Sequence, residues 1–80
     1  MVERYINTLL ALSGGEDLLS TTERYLVNDC SVETTASQLN VHPNTVRHRL
    51  TRFEEATGRS LRVTETLVEV WWALERRRLL

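Results

Sequence analysis

Eleven residues at positions 43–53, PNTVRHRLTRF, combine a helical apolar spacing with side chains that can bind bases. At about 100° per residue, Val46, Leu50 and Phe53 fall on one side of a helix and form an apolar stripe. The other sides carry polar residues that can contact a partner: Asn44, Thr45, Arg47, His48, Arg49 and Arg52. Arginine can form two hydrogen bonds with guanine and asparagine two with adenine, and the major groove of B-form DNA admits one α-helix. The pattern predicts a recognition helix at about residues 43–57 in the major groove of duplex DNA.

A second, shorter helix is predicted just before the recognition helix. Its apolar stripe consists of Val32, Ala36 and Leu39. Ser31 is suited to cap its first turn, Asn40 tolerates the positive φ of a sharp turn, and Pro43 suits the first position of the next helix. An arginine-bearing helix alone is more often a solvated surface, but this paired register is typical of a helix-turn-helix at about residues 31–57.

The two ends of the recognition helix are expected to have different tasks. A helix-turn-helix places the N-terminal part of its second helix against base edges. We therefore expect base contacts from Asn44, Thr45, Arg47 and His48. Phosphate contacts, which position a protein without reading sequence, are expected from Arg49 and Arg52, with Arg59 and Arg62 as further candidates.

Length and composition place the chain among small globular proteins. Its 80 residues are 41% hydrophobic and 26% charged, which predicts one domain over residues 1–80 with one small core. No apolar run approaches the about 20 residues of a membrane helix, and no basic segment leads into an apolar signal stretch. We therefore expect a cytoplasmic protein without membrane contact.

Charge is distributed unevenly along the chain. The net charge is −1, which argues against indiscriminate binding to nucleic acid and is less basic than usual for a DNA-binding domain. Residues 1–40 hold two arginines and six acidic residues, for −4, whereas residues 41–80 hold eight arginines and five acidic residues, for +3. The positive half of the chain therefore contains the predicted recognition helix.

Helical spacing of apolar residues recurs through the rest of the chain, without a strand pattern. The predicted fold is all-α, a small five-helix bundle. Its first helix is expected at about residues 2–12 and its second at about residues 16–28. The recognition helix is expected to end at Gly58, and the last helix to start near Thr64 or Thr66, the second of which opens a capping-box sequence.

The last helix is apolar on two sides. One stripe consists of Leu67, Val70, Trp71 and Leu74, and a second, displaced around the helix, of Val68, Trp72 and Leu79. Such a helix is either deeply buried or shared between subunits. We expect Trp71 to fill the core, and Val68 and Trp72 to form a homodimer interface.

Residue types that support catalysis or metal binding are present without a suitable arrangement. Cys30 is the only cysteine, and the two histidines have no acidic or thiol partner at ligand spacing. Glu54 and Glu55 are expected to be a solvated pair rather than an acid/base dyad, and no nucleophile lies beside an evident base. We therefore expect no enzymatic activity, no metal and no cofactor.

Four segments together resemble a known family. They are NDCSV at residues 28–32, VHPNTVRHRL at 41–50, EEATG at 54–58 and VWWAL at 70–74. They look like parts of the C-terminal DNA-binding domain of the PucR/CdaR family of bacterial transcription regulators, and the likeness covers roughly residues 16–75. The chain departs from the family at Pro43, where a basic residue is frequent, and at His48, where an aromatic residue is frequent. Both departures affect which bases the helix is expected to read.

The resemblance implies a domain that binds promoters and is joined to an N-terminal region that senses a metabolite. No such sensor fits within 80 residues, so we expect part of a longer regulator, with a short stand-alone regulator as the alternative. A function of another class is a helical protein-interaction module that uses the apolar last helix and never binds DNA. A third is the DNA-binding part of a recombinase or sigma-like factor. Strong salt dependence of duplex binding distinguishes a DNA binder from the interaction module.

Overall fold

Four α-helices make up the part of the chain that the computed structural model describes, which is residue 7 and residues 11–79. They are α1 (Gly15–Val27), α2 (Val32–Leu39), α3 (Pro43–Thr57) and α4 (Thr64–Leu79). The all-α prediction is confirmed, but the predicted number of five helices is wrong for the described residues. The first predicted helix, at about residues 2–12, lies almost wholly outside them. None of these four helices has the length and apolar character that crossing a bilayer requires.

Helix α1 ends in a turn that contains two residues with left-handed backbone conformations, Asp29 with φ 54° and Cys30 with φ 62°. The N–H of Cys30 donates to the carbonyl oxygen of Tyr25 at 2.8 Å, and the N–H of Asp29 to that of Leu26 at 3.2 Å. These bonds satisfy the last carbonyl groups of the helix in a Schellman arrangement. The chain can therefore reverse within a few residues and begin α2.

Helix α2 begins at a side-chain cap and ends at a tight turn, as the sequence predicts. Ser31 Oγ accepts a hydrogen bond from the N–H of Thr34 at 3.2 Å. At the other end, Asn40 has φ 58° and ψ 46°, and the N–H of Val41 donates to the carbonyl oxygen of Ala36 at 3.0 Å. Asparagine adopts this left-handed conformation more readily than most residues. This turn sets the direction in which α3 leaves α2.

Helix α3 has the bounds that the sequence predicts for the recognition helix. Pro43 occupies its first turn, and His42 Nδ1 accepts a hydrogen bond from the N–H of Asn44 at 3.0 Å. Gly58, with φ 69°, ends the helix, and its N–H donates to the carbonyl oxygen of Glu54 at 2.8 Å. Both ends of α3 are thus fixed by local hydrogen bonds.

An apolar cluster fills the space where the helices meet. Helix α3 packs against both α1 and α2, and α4 packs against α1. The buried members of the cluster are Leu18, Leu19, Ala36, Val46, Leu50, Phe53, Leu61, Val70, Ala73 and Leu74. The predicted inward stripe of α3 is confirmed, since Val46 is 0% and Phe53 1% exposed. Because this stripe is held by two helices, the opposite side of α3 faces away from the core in a fixed orientation.

The structure corrects one prediction about α4 and distinguishes between the two predicted starts of the helix. Trp71, predicted to fill the core, is 38% exposed, and the core positions belong to Val70, Ala73 and Leu74. Two positions along a helix differ by about 200°, so the burial of Ala73 turns Trp71 toward solvent. The helix begins at Thr64, one of the two predicted starts, and Thr66, the other, is buried in its first turn.

Candidate nucleic-acid interface

The side of α3 that faces away from the core carries the residues predicted to bind DNA. Four of them are exposed and two are half-buried. We call this surface the arginine face; it consists of Asn44, Thr45, Arg47, His48, Arg49 and Arg52. At 1.5 Å per residue the face extends over about 12 Å of the helix, a length that fits within one major groove. The structure therefore brings all six predicted residues together on one rigid element.

Arg47 is held by two neighbours in the arginine face. Its Nη1 donates to Asn44 Oδ1 at 2.9 Å within α3, and its Nη2 lies 3.5 Å from Oε1 of Glu33 on α2. The side chains of Arg47 and Glu33 are 54% and 75% exposed, so this solvated ion pair adds little to stability. Its effect is geometric, because contacts from two helices restrict where the guanidinium can point.

Arg49 is anchored to the body of the protein. Its Nη1 donates to Thr21 Oγ1 on α1 at 3.2 Å, and Thr21 is completely buried. The bond gives this buried hydroxyl a partner and joins α1 to α3. A guanidinium has five N–H donors, so Arg49 can keep this bond and still contact a phosphate.

His48 and Arg52 differ from these two arginines. Both side chains are exposed, and neither makes a hydrogen bond with the described part of the chain. Thr45 is half-buried, and its N–H donates to the carbonyl oxygen of His42 at 2.9 Å in the first turn of α3. The side chains of His48 and Arg52 are therefore accessible to a partner without breaking an internal contact.

A cleft of about 320 Å³ opens beside the arginine face, between α1, α2, α3 and the connection after α3. Its lining is Tyr25, Val32, Arg47, Leu50, Thr51, Glu54, Leu61 and Arg62. Arg62, a predicted phosphate contact, thus shares a cleft with Arg47, although the two are 15 residues apart in sequence. The positive surface therefore continues from α3 onto the connection that follows it.

Glu54 fixes the connection that carries Arg62. Its Oε2 accepts a hydrogen bond from the N–H of Leu61 at 2.7 Å, and the side chain is half-buried. The prediction of a solvated pair is therefore wrong for Glu54, whereas Glu55 is exposed. The prediction failed because helical spacing cannot show that the chain turns back after Gly58 and brings an N–H group to this carboxylate.

Tyr25 adds a hydroxyl group to the same cleft. Burial raises the pKa of its phenol above the ordinary value, and the neighbouring Cys30 and Glu54 raise it further, whereas Arg62 acts in the opposite direction. The phenol therefore stays protonated at neutral pH and keeps an O–H donor in the cleft.

A second exposed surface, on α4 and the end of α1, is apolar. Its groove, of about 400 Å³, is lined by Leu26, Asp29, Cys30, Thr64, Leu67, Val68 and Trp71. Val68 is 51% and Trp72 62% exposed, so the residues predicted for a dimer interface are at the surface. We call the surface formed by Val68, Trp71 and Trp72 the tryptophan face. Within the described residues, no group of three or more His, Cys, Asp or Glu side chains could hold a metal ion.

Glu33 and Thr21 are the residues of this site that the sequence analysis did not identify. They lie 14 and 28 residues from the arginines that they contact. A signal for Glu33 existed, because it is the only acidic residue between positions 30 and 53, inside the motif that is otherwise positive. Nothing in the local sequence connects Thr21 with Arg49, since that contact depends on how α1 crosses α3.

Comparison with known families gives a match over most of the chain. The family described as the PucR C-terminal helix-turn-helix domain matches residues 18–75. This range contains α2, α3 and every residue of the arginine face.

Relatives of the chain include a regulator with a stated role. The purine catabolism regulatory protein of Bacillus subtilis (strain 168) is 42% identical over 65 residues, which are 81% of this chain and 12% of that protein. An uncharacterised protein of Thermomonospora curvata is 36% identical over 74 residues, 86% of this chain and 41% of that protein. An uncharacterised protein of Mycobacterium tuberculosis (strain ATCC 25618 / H37Rv) is 47% identical over 45 residues, which are 56% of this chain and 11% of that protein. The chain thus spans less than half the length of each relative, and no solved structure matches it.

Proposed function

This chain belongs to the family of PucR C-terminal helix-turn-helix domains and has the DNA-binding role of a transcription regulator's domain, and from that premise we propose that it binds duplex DNA sequence-specifically. In this proposal α3 lies in the major groove, with its N-terminal half against base edges and its C-terminal half beside the phosphates. The proposed activity is DNA binding alone, without a catalytic step or a cofactor.

The observation that carries the proposal is the arginine face on a rigidly packed α3. Val46 and Phe53 are almost completely buried, so α3 cannot rotate without exposing its apolar stripe. Arg47, His48 and Arg52 are exposed on the side away from that stripe. Side chains that read bases need such a fixed support, because a small displacement breaks a bidentate hydrogen bond.

Electrostatics support phosphate contacts around the same helix. Residues 43–53, which begin α3, hold three arginines and no acidic residue, a formal charge of +3, although the whole chain has −1. Arg49 and Arg52 belong to α3, and Arg62 lies across the cleft from it. Cations that neutralise phosphates release counterions, which strengthens binding to any DNA sequence.

We also propose that the domain acts as a homodimer through the tryptophan face. Trp72 is 62% and Val68 51% exposed, and an apolar surface of this kind gains free energy when a second apolar surface covers it. The tryptophan face lies on α4, and α4 packs against α1. The arginine face lies on a different helix, α3, so one subunit can use both surfaces at once. A two-fold dimer would present two copies of α3 to two half-sites.

A salt titration on a site selected from random duplex DNA tests the proposal. With about three to five phosphate contacts per subunit, log affinity should fall with log salt at a slope near −0.9 per contact, so a dimer should show about −5 to −9. An Arg52→Ala variant should make the slope shallower by about one unit per subunit, and therefore by about two units for a dimer. Absence of binding to duplex DNA, or an affinity that does not change with salt concentration, would contradict the proposal and favour the protein-interaction module.

The spacing of half-sites tests the two-fold arrangement. Half-site centres of an inverted repeat should lie about 10 bp, one helical turn, or a multiple apart. Insertion of about 5 bp between the half-sites rotates one of them to the opposite side of the duplex, and affinity should fall to that of a single half-site. Footprints that survive this insertion unchanged would show that the domain binds as a monomer, while specific DNA binding itself would stand.

A further inference from the structure

We propose that Glu33 and Asn44 are positioning residues that hold the guanidinium of Arg47 for one guanine, and that Asn44 does not itself read adenine. This inference rests on the proposed DNA-binding function and adds the specificity-determining pair. Glu33 belongs to α2 and Asn44 to the first turn of α3, so Arg47 is held from both helices of the motif.

The hydrogen bonds of Arg47 leave it able to bind a base. The Asn44 contact uses an N–H of Nη1 and the Glu33 contact an N–H of Nη2, at 2.9 Å and 3.5 Å. A guanidinium has five N–H donors in one plane, so three remain. Two neighbouring donors of that plane match the O6 and N7 acceptors of guanine. The two acceptors therefore fix the plane without occupying all of its donors.

The same contact changes the expected task of Asn44. An asparagine that reads adenine uses its Oδ1 and its NH₂ group together on the base edge. Here Oδ1 of Asn44 accepts a hydrogen bond from Arg47 at 2.9 Å, so the acceptor that adenine recognition needs is already engaged. This contact turns the amide of Asn44 toward Arg47.

Holding Arg47 in place matters because its side chain is long and 54% exposed. A free arginine at this position samples many rotamers, and most of them must be given up when it binds a base. Two acceptors that already restrict those rotamers lower this entropic cost for guanine. They also disfavour rotamers that would suit a different base, so the effect appears in base preference more than in total affinity.

The test compares how strongly the full 80-residue chain and its variants prefer guanine at the base pair where Arg47→Ala removes a preference. Probes are short duplexes of the selected site with each of the four bases at that pair. Glu33→Gln should reduce the guanine preference about two- to fivefold, the size expected for one exposed ion pair. Asn44→Ala should reduce the preference at the same pair by a similar factor.

Two variants separate positioning from simpler effects. Glu55→Gln removes the same charge from an exposed residue of α3 that does not contact Arg47, so it should raise affinity for all four probes and leave their ratio unchanged. Asn44→Asp keeps an oxygen acceptor for Arg47 but lacks the NH₂ donor that adenine recognition needs. It should keep the guanine preference, with weaker overall binding because of its added negative charge.

Double variants complete the test. If Glu33 acts through Arg47, then adding Glu33→Gln to Arg47→Ala should cause no further change in base preference. The inference would be overturned if Glu33→Gln changed the guanine preference no more than Glu55→Gln does. It would also be overturned if the unaltered chain showed an adenine preference that Asn44→Asp abolishes. If the unaltered chain showed no base preference at any position, that result would instead contradict the proposed function. The residues involved are exposed, so circular dichroism should show every variant folded.

Discussion

The arginine face of α3 and the tryptophan face of α4 are both exposed, but they were predictable to different degrees. On α3 the apolar residues that reach the core form one stripe, and all other sides are polar. On α4 apolar residues occur on several sides, and Trp71 and Trp72 are both exposed beside the buried Val70 and Ala73. A helix with one apolar stripe has one possible orientation, whereas a helix with two stripes has more than one.

This difference shows what a hydrophobic pattern can decide. For α3, exposing Val46 and Phe53 in any other orientation would lose several kcal/mol, roughly 1.5–3 for each large side chain. For α4, either Trp71 or Ala73 could face the core, because both are apolar. The pattern alone therefore does not favour one orientation of the helix. The structure places Ala73 in the core at 6% exposure and leaves Trp71 38% exposed.

The largest expected effect compares Phe53 with Trp71. Phe53→Ala should lower the free energy of unfolding by about 3–5 kcal/mol, because a 1% exposed ring leaves a cavity in the core. Trp71→Ala should cost half of that or less, since a 38% exposed indole already contacts water. Urea unfolding followed by circular dichroism measures both. Equal losses would place Trp71 in the core and contradict the orientation of α4 described above.

The second expected effect concerns Trp72 and the proposed dimer. Trp72→Glu should weaken self-association at least about 30-fold, equivalent to about 2 kcal/mol, because a carboxylate at an apolar interface must lose its hydration. Light scattering should then show a folded monomer. Leu12→Glu is the matched control, because Leu12 is also an exposed apolar residue but lies outside α4, and it should leave association unchanged. A monomeric unaltered chain would contradict the dimer directly.

Much of the fold followed from local sequence signals because each signal has a local physical cause. Ser31, Asn40 and Gly58 occupy the helix ends at which they were predicted, since capping and positive φ depend on only a few neighbouring residues. The number of helices differs in the described residues, and the start of α4 was uncertain between Thr64 and Thr66. That uncertainty arose because a capping-box sequence can also occur inside a helix.

The candidate site was only partly predictable, for a different reason. Spacing placed the six residues of the arginine face on one helix, and their helix has the predicted bounds. The partners of two arginines, Glu33 and Thr21, come from other helices. Such contacts depend on crossing angles between helices, which one-dimensional spacing does not contain. The DNA-binding roles of the arginine-face residues remain predictions, which the experiments above address.

The smallest expected effect separates two arginines of α3 that the sequence treated alike. Arg49 donates to the buried Thr21 at 3.2 Å, whereas Arg52 is exposed and its side chain makes no hydrogen bond with the described residues. Arg49→Ala should therefore lower the free energy of unfolding by about 1 kcal/mol, the usual net value of one hydrogen bond. Arg52→Ala should leave stability within about 0.5 kcal/mol of the unaltered chain, as exposed substitutions commonly do.

DNA binding supplies the second half of this comparison. If both arginines contact phosphates, each alanine variant should make the salt slope shallower by about one unit per subunit, with little change in base preference. Arg49 would then differ from Arg52 only in stability, because its guanidinium supports α1 and a phosphate at the same time. A stability loss without any change in salt slope would assign Arg49 to the fold alone. Phosphate contacts would then come from Arg52 on the arginine face and from Arg62 across the cleft.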